Sequence, residues 1–436
     1  MLTTNIINDS LDYDGYTKSD IISLTNRWKH LLKHKYNAEK GDKLAISIME
    51  VNVNQVALSF AAAELGLILF ILDFPVNPQT IHKTKLGLFG PVKFTVECDW
   101  LKSHPIHHIM VERYSENVLH EDDILNYYEE CEDKFNELHT PYLLGSTSGT
   151  TSDSKPVLFT QNEVYTISKR NIDVFKFVKD DKVVHSKNMH HASSILTHLF
   201  PSLMASDNHR NIVMNPMTVE HISGWFADEI VKWQPTKMMM INMRCMDIFL
   251  KAIPKLDTTL LINMSGFTVP DYFVGLCEEN NIEFISHFGS IDTGIPLLVN
   301  HVTKDSDWTK SSLGCQPDDF YTMELVDDRV VVNCELWPNK RLLGDQLNKK
   351  GKTWIHMGRD KKHVLDNFVS KHYAGEFNIV GEDLHLVLWE PTVSYNTDRI
   401  NTNIFKTITT LNKKDFTTET KVNMDQLRGY LCTLGD

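Results

Sequence analysis

Hydrophobic residues recur at helical spacing near the start of the chain. Ile21, Leu24, Trp28 and Leu31–Leu32 lie three or four positions apart, which places them on one face of an α-helix. Thr17 and Ser19 precede this run, and both are residue types that cap helix N-termini. We therefore predict an amphipathic helix whose apolar face packs against the core.

The next hydrophobic segments predict a βαβ unit. A turn at residues 41–43 precedes the apolar run LAISIM, residues 44–49, which has the length of a buried strand. NQVALSFAAAEL, residues 54–65, predicts a helix, and LILFILDF, residues 67–74, predicts a second buried strand. Continuous apolar strands joined through a helix are typical of a parallel sheet that is covered on both faces.

A similar alternation of short strands and helices follows residue 155. The strand-like runs are VHSKNMHH (184–191), NIVMNP (211–216), KMMMIN (237–242) and TLLINMS (259–265), and the helical segments include CMDIFLKAI (245–253) and DYFVGLCEENN (271–281). Met238, Met239, Met240 and Met243 cluster in this region, and such clusters more often fill a core than line a substrate site. The pattern predicts an α/β protein with several sheets.

The pattern changes in the last third of the chain. YTMELVDDRVVVNCELW, residues 321–337, predicts a β-hairpin around Asp327-Asp328. The charged turn GRDKKH, residues 358–363, indicates a boundary near residue 360. We therefore predict a large N-terminal domain, residues 1–360, and a small C-terminal domain, residues 361–436.

Composition limits the classes of partner. The chain has 44 Lys and Arg against 57 Asp and Glu, a net charge of -13, which disfavours a general binder of nucleic acid or of anionic membranes. The apolar stretch at residues 58–74 is interrupted by Glu64 and Gly66 and is too short to span a bilayer. The polar first twenty residues and seven scattered cysteines favour a cytoplasmic protein without a signal peptide.

One polar loop interrupts two apolar runs at residues 143–160, LLGSTSGTTSDSKPVLFT. Between Gly145 and Pro156 it contains seven Ser or Thr hydroxyls, two glycines and one lysine. Consecutive backbone N–H groups in such a loop can form an anion-binding concavity, because glycine leaves them accessible. Composition alone also fits a solvated surface loop, and the Walker-type pattern GxxxxGK[ST] is absent.

The order of residues in this loop resembles the phosphate loop of the adenylate-forming superfamily, which includes acyl-CoA synthetases, peptide-synthetase adenylation domains and luciferase. That loop runs T-S-G-T-T-G-x-P-K-G-V-x-x-T-H. Thr147-Ser148-Gly149-Thr150-Thr151, Lys155, Val157 and Thr160 match it, whereas Ser152, Ser154, Pro156 and Gln161 depart from it.

Seven further segments resemble the family's motifs in the family's order and extend the resemblance over nearly the whole chain. They are NMHHASSIL (188–196), INMSGFTVP (262–270), HFGSIDTG (287–294), SSLGCQPDDF (311–320), KRLLGDQL (340–347) and HMGRDKKH (356–363) with TTETKVNMDQL (417–427) after it. The resemblance implies an α/β fold with a large multi-sheet N-terminal domain and a small, mobile α+β C-terminal lid domain.

The resemblance also implies roles for individual residues. ATP or AMP would be bound by Thr147, Ser148, Gly149, Thr150, Thr151, Lys155, Gly266, Phe288, Gly289, Asp345 and Arg359. Asp292 would hold Mg²⁺, Lys421 would be the catalytic lysine, His190 and His191 would wall the acid pocket, and Lys361 would be the hinge. Each has an ordinary alternative, such as a turn aspartate, a surface lysine or a structural ion pair.

Three departures bear on activity. Ile291 replaces a threonine that contacts the α-phosphate in the family, so Thr293 or Ser290 would have to supply that hydroxyl. The C-terminal segment is short and lacks the family's G-x-R-I/E loop after the hinge. The aspartate that binds an α-amino group in relatives has no counterpart in HHASSIL, which makes a free α-amino acid a less suitable substrate.

The resemblance therefore implies an ATP-dependent, Mg²⁺-dependent ligase that activates a carboxylic acid as an acyl-adenylate. The acyl group would pass to a thiol of coenzyme A or of a carrier protein, with an amine as the alternative acceptor. A nucleotide-binding relative without catalysis remains an alternative because of Ile291, and an unrelated α/β protein is the third alternative.

Overall fold

The structure, a computed structural model, describes most of the first 358 residues and three later strands. The described ranges are 2–47, 52–71, 92–97, 115–134, 139–146, 156–186, 194–214, 219–240, 243–265, 271–291, 293–302, 313–326, 329–343, 346–358, 375–380, 383–389 and 407–411.

The helices lie in the first 280 residues of this described part. They are α1 (Lys18–His30), α2 (Val53–Leu65), α3 (Gln161–Val174), α4 (Phe200–Ala205), α5 (Val219–His221), α6 (Ala227–Trp233), α7 (Met243–Ala252) and α8 (Asp271–Asn280). Short 3-10 turns lie at Thr4–Ile6 and Glu121–Ile124, and π-helical turns at Leu31–Lys35, Ile195–Leu199 and Ile222–Phe226.

The strands within the described ranges form two large sheets and three small ones. The first fourteen are β1 (Asp12–Tyr13), β2 (Tyr16–Thr17), β3 (Lys43–Ser47), β4 (Ile68–Ile71), β5 (Val92–Glu97), β6 (Ser115–His120), β7 (Pro141–Ser146), β8 (Pro156–Thr160), β9 (Lys182–His185), β10 (Asn208–Asn211), β11 (Lys237–Met240), β12 (Leu260–Ser265), β13 (Ile282–Ser290) and β14 (Ile295–Val302). The others are β15 (Thr322–Val326), β16 (Arg329–Asn333), β17 (Arg341–Leu342), β18 (Gln346–Lys350), β19 (Thr353–Gly358), β20 (Gly375–Val380), β21 (Asp383–Trp389) and β22 (Thr407–Leu411).

The predicted amphipathic helix and βαβ unit are confirmed. Thr17 caps α1 in a reciprocal capping box with Asp20, and Trp28 is fully buried. Strands β3 and β4, joined through α2, pair in parallel within a six-stranded sheet of order β6-β5-β3-β4-β7-β8. The helix α2 is buried along most of its length, which explains why its sequence is apolar on all sides.

The second large sheet is also mainly parallel. Its order is β14-β13-β12-β11-β9-β10-β1-β2. The pairs from β13 through β12, β11, β9 and β10 to β1 are all parallel. The strand predicted at residues 211–216 is wrong in position, because the observed strand is Asn208–Asn211. Ile212 and Met214 are buried against the α-helices beyond the strand, so their hydrophobicity reflects packing there.

Each large sheet ends in an antiparallel hairpin. Strand β8 is the last strand of the six-stranded sheet and pairs with β7, and β14 is the last strand of the eight-stranded sheet and pairs with β13. We call β7–β8 the first edge hairpin and β13–β14 the second edge hairpin. One hydrophobic core includes Phe159 of the first and Leu297 and Leu298 of the second, so the two hairpins pack into the same interior.

The remaining sheets are small. The hairpin predicted around Asp327-Asp328 is confirmed, since Val326 of β15 pairs with Arg329 of β16. Strands β18 and β19 form another hairpin, and β20, β21 and β22 form a three-stranded sheet of their own. The boundary predicted near residue 360 stays a prediction. Among the described residues, no helix combines the length and hydrophobicity needed to cross a membrane.

Candidate functional site

The first edge hairpin brings the ends of the polar loop together. Ser146, the last residue of β7, is the Cα partner of Pro156, the first residue of β8. Both ends of the loop are therefore in strands, as the sequence predicts. Phe159 of β8 is fully buried and anchors the hairpin in the core. The loop residues Thr147, Ser148, Gly149, Thr150, Thr151 and Lys155 lie outside the described residues, and their phosphate-binding role stays a prediction.

Helix α3 starts directly where β8 ends. Thr160 is its N-cap, because its hydroxyl accepts a hydrogen bond from the backbone N–H of Glu163 at 3.2 Å. The Glu163 carboxylate in turn accepts bonds from the Thr160 backbone N–H at 2.7 Å and its hydroxyl at 2.9 Å. Thr160, which matches the family's motif, therefore uses its hydroxyl to cap α3.

Glu163 also connects α3 to strand β17. Its second carboxylate oxygen lies 3.3 Å from Nη2 of Arg341, whose guanidinium carbon stands 4.3 Å from the centre of the Trp337 ring. The ion pair attaches β17 to the first turn of α3, the helix that follows the first edge hairpin. Gly344 and Asp345 come three and four residues after Arg341 and lie outside the described residues.

The second edge hairpin contains the candidate adenine and magnesium motif. Phe288 is half-buried, lies opposite Leu298 across β13 and β14, and packs partly against the core. Gly289 is exposed and follows a β-bulge, and a Cβ there would lie 2.6 Å from the carbonyl oxygen of Ile295. A partly exposed aromatic ring beside exposed backbone fits the stacking of a planar base.

The turn between β13 and β14 is held by its own backbone. Thr293 is fully buried, and its hydroxyl donates to the carbonyl of Ser290 at 2.8 Å. The backbone N–H groups of Thr293 and Gly294 donate to the same carbonyl at 3.0 Å and 2.9 Å. Thr293 therefore does not replace the α-phosphate-binding hydroxyl, because its hydroxyl is buried inside the turn. Ile291 is half-buried and packs against the core.

The two edge hairpins touch at Gly294. This glycine has φ of +64°, and a Cβ there would lie 2.5 Å from Cε1 and 2.8 Å from Cζ of Phe159, and 3.3 Å from Cδ1 of Leu196. Leu196 belongs to the π-helical turn Ile195–Leu199, which follows the segment with His190 and His191. One turn thus contacts the first edge hairpin and the element that follows the candidate acid pocket.

Arg170 attaches α3, the helix that follows the first edge hairpin, to the second edge hairpin. Its guanidinium donates from Nε and Nη2 to the two carboxylate oxygens of Asp318, at 2.6 Å and 3.1 Å. Nη2 also donates to the carbonyl of Pro296 in β14 at 3.3 Å. The Arg170 side chain is 6% exposed and that of Asp318 is 33% exposed, so the guanidinium is shielded from water while the carboxylate is partly solvated. The bidentate geometry makes the pair specific.

The remaining predicted site residues cannot be placed. Gly266, Asp292, Asp345, Arg359, Lys361, Lys421, His190 and His191 all lie outside the described residues. Within the described ranges, no cluster of three or more His, Cys, Asp or Glu side chains has the arrangement of a metal site. The expectation of Mg²⁺ at Asp292 therefore stays a prediction.

The structure contains a buried cluster of histidines that the sequence does not predict. Nε2 of His185 and Nδ1 of His209 are 3.1 Å apart, and Tyr13 stacks on both rings at 5.3 Å and 5.8 Å. Burial lowers the pKa of His209 to about 4, and burial with repulsion from His198 and His209 lowers that of His185 well below its usual value. The one indication of this cluster in the sequence is His185, which lies in the strand-like run at residues 184–191.

Two kinds of comparison give different results. No protein-family profile and no curated protein sequence matches this chain. Solved structures do match it over almost its whole length. The o-succinylbenzoate coenzyme A synthetase of Bacillus subtilis in complex with AMP has a TM-score of 0.71 and 15% identity, with 98% of this chain and 96% of that chain covered.

Two aryl-acid ligases are similar to the chain in the same way. A benzoate CoA ligase from Burkholderia xenovorans LB400 gives a TM-score of 0.69, 11% identity and coverage of 97% and 96% of the two chains. The anthranilate CoA ligase AuaEII in complex with anthranoyl-AMP gives a TM-score of 0.65 and 13% identity, with 97% of this chain and 93% of that chain covered. The chain therefore has the fold of the adenylate-forming enzymes.

Proposed function

We propose that this chain is an ATP-dependent ligase that activates a carboxylic acid as an acyl-adenylate and transfers the acyl group to the thiol of coenzyme A. The observation that supports it most is the meeting of the two edge hairpins at Gly294 and Phe159. Lys155 and Phe288 are 133 positions apart in the sequence. This contact joins β8, the strand that follows the proposed phosphate loop, to the hairpin that contains Phe288.

The first half-reaction needs donors and cations more than a general base. One oxygen of the acid attacks the α-phosphorus of ATP, the bond to the β-phosphate oxygen breaks, and pyrophosphate leaves with Mg²⁺. Because charge builds on phosphoryl oxygens, the loop from Thr147 to Lys155 would hold the β- and γ-phosphates. Asp292 would hold Mg²⁺ through a carboxylate oxygen, the ligand type that this cation prefers.

The other predicted residues complete the proposal. The ring of Phe288 would stack on adenine, and Asp345 and Arg359 would bind the ribose hydroxyls. Lys421, in a mobile lid of residues 361–436 that turns about Lys361, would place its ammonium between the acid carboxylate and the α-phosphate. His190 and His191 would wall the acid pocket.

In the second half-reaction a thiolate attacks the acyl carbon and AMP leaves, so an acyl thioester forms. Coenzyme A is the proposed acceptor because the structures of similar fold include a series of CoA ligases. Their names also suggest which acids to try first, namely benzoate, anthranilate and o-succinylbenzoate. A location in the cytoplasm, where coenzyme A and ATP are present, fits this proposal.

ATP–pyrophosphate exchange tests the proposal. Purified protein with Mg²⁺, labelled pyrophosphate and pools of carboxylic acids should incorporate label into ATP with at least one pool. Lys421→Ala should abolish this exchange, while Lys232→Ala, which removes an exposed lysine paired with Glu229, should leave it unchanged. ATP binding without exchange in any pool would instead identify a nucleotide-binding protein without adenylation activity.

A further inference from the structure

Gly294 occupies a position that no residue with a side chain could take without rearrangement. Its φ of +64° lies in the left-handed region, and the space where a Cβ would stand is filled by the ring of Phe159. Phe159 is fully buried, so its ring cannot swing into solvent to make room. The close approach of the two edge hairpins therefore depends on glycine at this position.

The contact is reinforced on both sides. Within the second edge hairpin, three hydrogen bonds to the Ser290 carbonyl fix the turn that contains Gly294. Beyond it, the bond from Arg170 to the Pro296 carbonyl attaches β14 to α3, the helix that continues from β8. The relative position of the hairpins is thus determined by a rigid turn, a buried ring and a shielded guanidinium.

We propose that Gly294 and Phe159 are positioning residues for ATP, because their contact sets the separation between the adenine-binding and the phosphate-binding hairpins. This inference rests on the proposed function. A ligand with two linked parts binds tightly only when the two subsites stand at the spacing that the linker requires. In the proposed function, Phe288 of the second edge hairpin binds the adenine end of ATP. The loop between β7 and β8 of the first edge hairpin binds the phosphate end.

The consequence is a specific pattern of ligand binding. Adenosine touches one subsite and inorganic tripolyphosphate touches the other, whereas ATP spans both. Gly294→Ala should push the hairpins apart and weaken ATP binding by about tenfold. The reason is that the second part of ATP then reaches its subsite at a lower effective concentration. Adenosine and tripolyphosphate should each bind within about twofold of the unaltered protein, since neither needs the correct spacing.

Gly351 provides a matched control for backbone strain. It has φ of +62°, almost the same as Gly294, but a Cβ there would meet nothing within 4 Å. Gly351→Ala therefore carries the same left-handed backbone penalty without displacing a neighbour. Its ATP affinity should equal that of the unaltered protein, which separates the effect of the Phe159 contact from general destabilisation.

Phe159→Leu tests the other side of the contact. Leucine lacks the Cε1 and Cζ atoms that a Cβ at residue 294 would strike, so the double variant with Gly294→Ala should recover part of the lost ATP affinity. Phe159→Leu alone leaves a gap and should weaken ATP binding by about threefold, with tripolyphosphate binding unchanged. This variant also carries the test if Gly294→Ala does not fold.

Isothermal titration calorimetry with ATP, adenosine and tripolyphosphate measures the affinity of each variant for the three ligands and tests the proposal. A loss confined to ATP, absent in Gly351→Ala and partly restored in the double variant, supports positioning by Gly294 and Phe159. Equal losses for all three ligands, or an unchanged ATP affinity, would overturn it. If the unaltered protein binds no ATP, the proposed function itself fails, and that result is distinct from either outcome in the variants.

Discussion

The two edge hairpins occupy equivalent places but use their polar residues differently. Each is the antiparallel end of a mainly parallel sheet. In the second edge hairpin, the Thr293 hydroxyl and the backbone N–H groups of Thr293 and Gly294 donate to the Ser290 carbonyl, and Ile291 packs against the core. In the first, the hydroxyl-rich loop 147–155 connects strands that end at Ser146 and Pro156.

This difference assigns separate tasks to the two hairpins. The turn of the second hairpin is stabilised by its own side chains, so it is suited to present Phe288 in a fixed position. Under the proposed function, the contacts with the phosphates come from the loop of the first hairpin. Ile291, where the family's motif has a threonine, is consistent with that division, because the hydrogen bonds described in this turn come from Thr293 and Gly294.

The largest expected effect comes from the loop lysine. Lys155→Met should lower kcat of ATP–pyrophosphate exchange by about 10²-fold or more, because it removes a cation from the charge that develops on the phosphates. Lys350→Met, which replaces an exposed lysine at the end of β18, is the control and should leave kcat unchanged. An unaltered kcat in Lys155→Met would mean that the first hairpin does not bind phosphate.

Acid should loosen the sheet of the second hairpin before that of the first. His209 and His185 in the eight-stranded sheet have folded pKa values below the usual 6.5, so the unfolded chain takes up protons more readily. Stability is therefore complete above about pH 6.5 and is lost as pH falls towards 4, with His209 alone accounting for about 3 kcal/mol.

Amide hydrogen exchange as a function of pH measures this difference between the sheets. Between pH 6.5 and pH 4.5, protection should fall more in β9 and β10 than in β3 and β4. His209→Asn should reduce this dependence on pH, because it removes a titrating group. Uniform loss of protection in both sheets would show that the histidine cluster does not control acid stability.

Removing the ring of Phe288 tests the adenine role of the second hairpin. Phe288→Ala should weaken ATP binding by about tenfold, since stacking of a base on an aromatic ring contributes about 1–3 kcal/mol. Phe288→Tyr keeps the ring and should bind ATP as the unaltered protein does. Fluorescence titration with a labelled ATP analogue measures both, and equal affinities of Phe288→Ala and Phe288→Tyr would remove Phe288 from the site.

The smallest effect is expected for the turn hydroxyl. Thr293→Val removes the buried hydrogen bond to the Ser290 carbonyl and should lower the free energy of unfolding by about 1 kcal/mol. Because that hydroxyl faces the turn and not the nucleotide, ATP affinity should stay within about twofold. Urea denaturation and ATP titration measure the two quantities, and a large loss of affinity would show that Thr293 binds phosphate.

Local patterns predicted the elements that depend on neighbouring residues. The cap at Thr17, the βαβ unit and the hairpin at residues 322–333 follow from periodicity and turn residues within short windows. The motif order predicted the fold, because seven short segments in sequence are more specific than any one of them.

Long-range packing explains what the sequence did not predict. The strand Asn208–Asn211 is polar and pairs with β1 and β9. The prediction placed it too late in the chain because the hydrophobic residues Ile212 and Met214 follow it. The stacking of Tyr13 on His185 and His209 joins residues about 170 to 200 positions apart. The contact of Gly294 with Phe159 is equally nonlocal, and a lone glycine in a turn gives no indication of it.

The central claim is that the carboxylate of the acid attacks the α-phosphorus of ATP. Heavy-oxygen label in the carboxylate of an acid that supports exchange tests it directly, with mass spectrometry of the products after turnover with coenzyme A. Acyl-adenylate chemistry predicts one labelled oxygen in AMP. Label in inorganic phosphate, with ADP as the nucleotide product, would contradict the account and indicate an acyl-phosphate ligase.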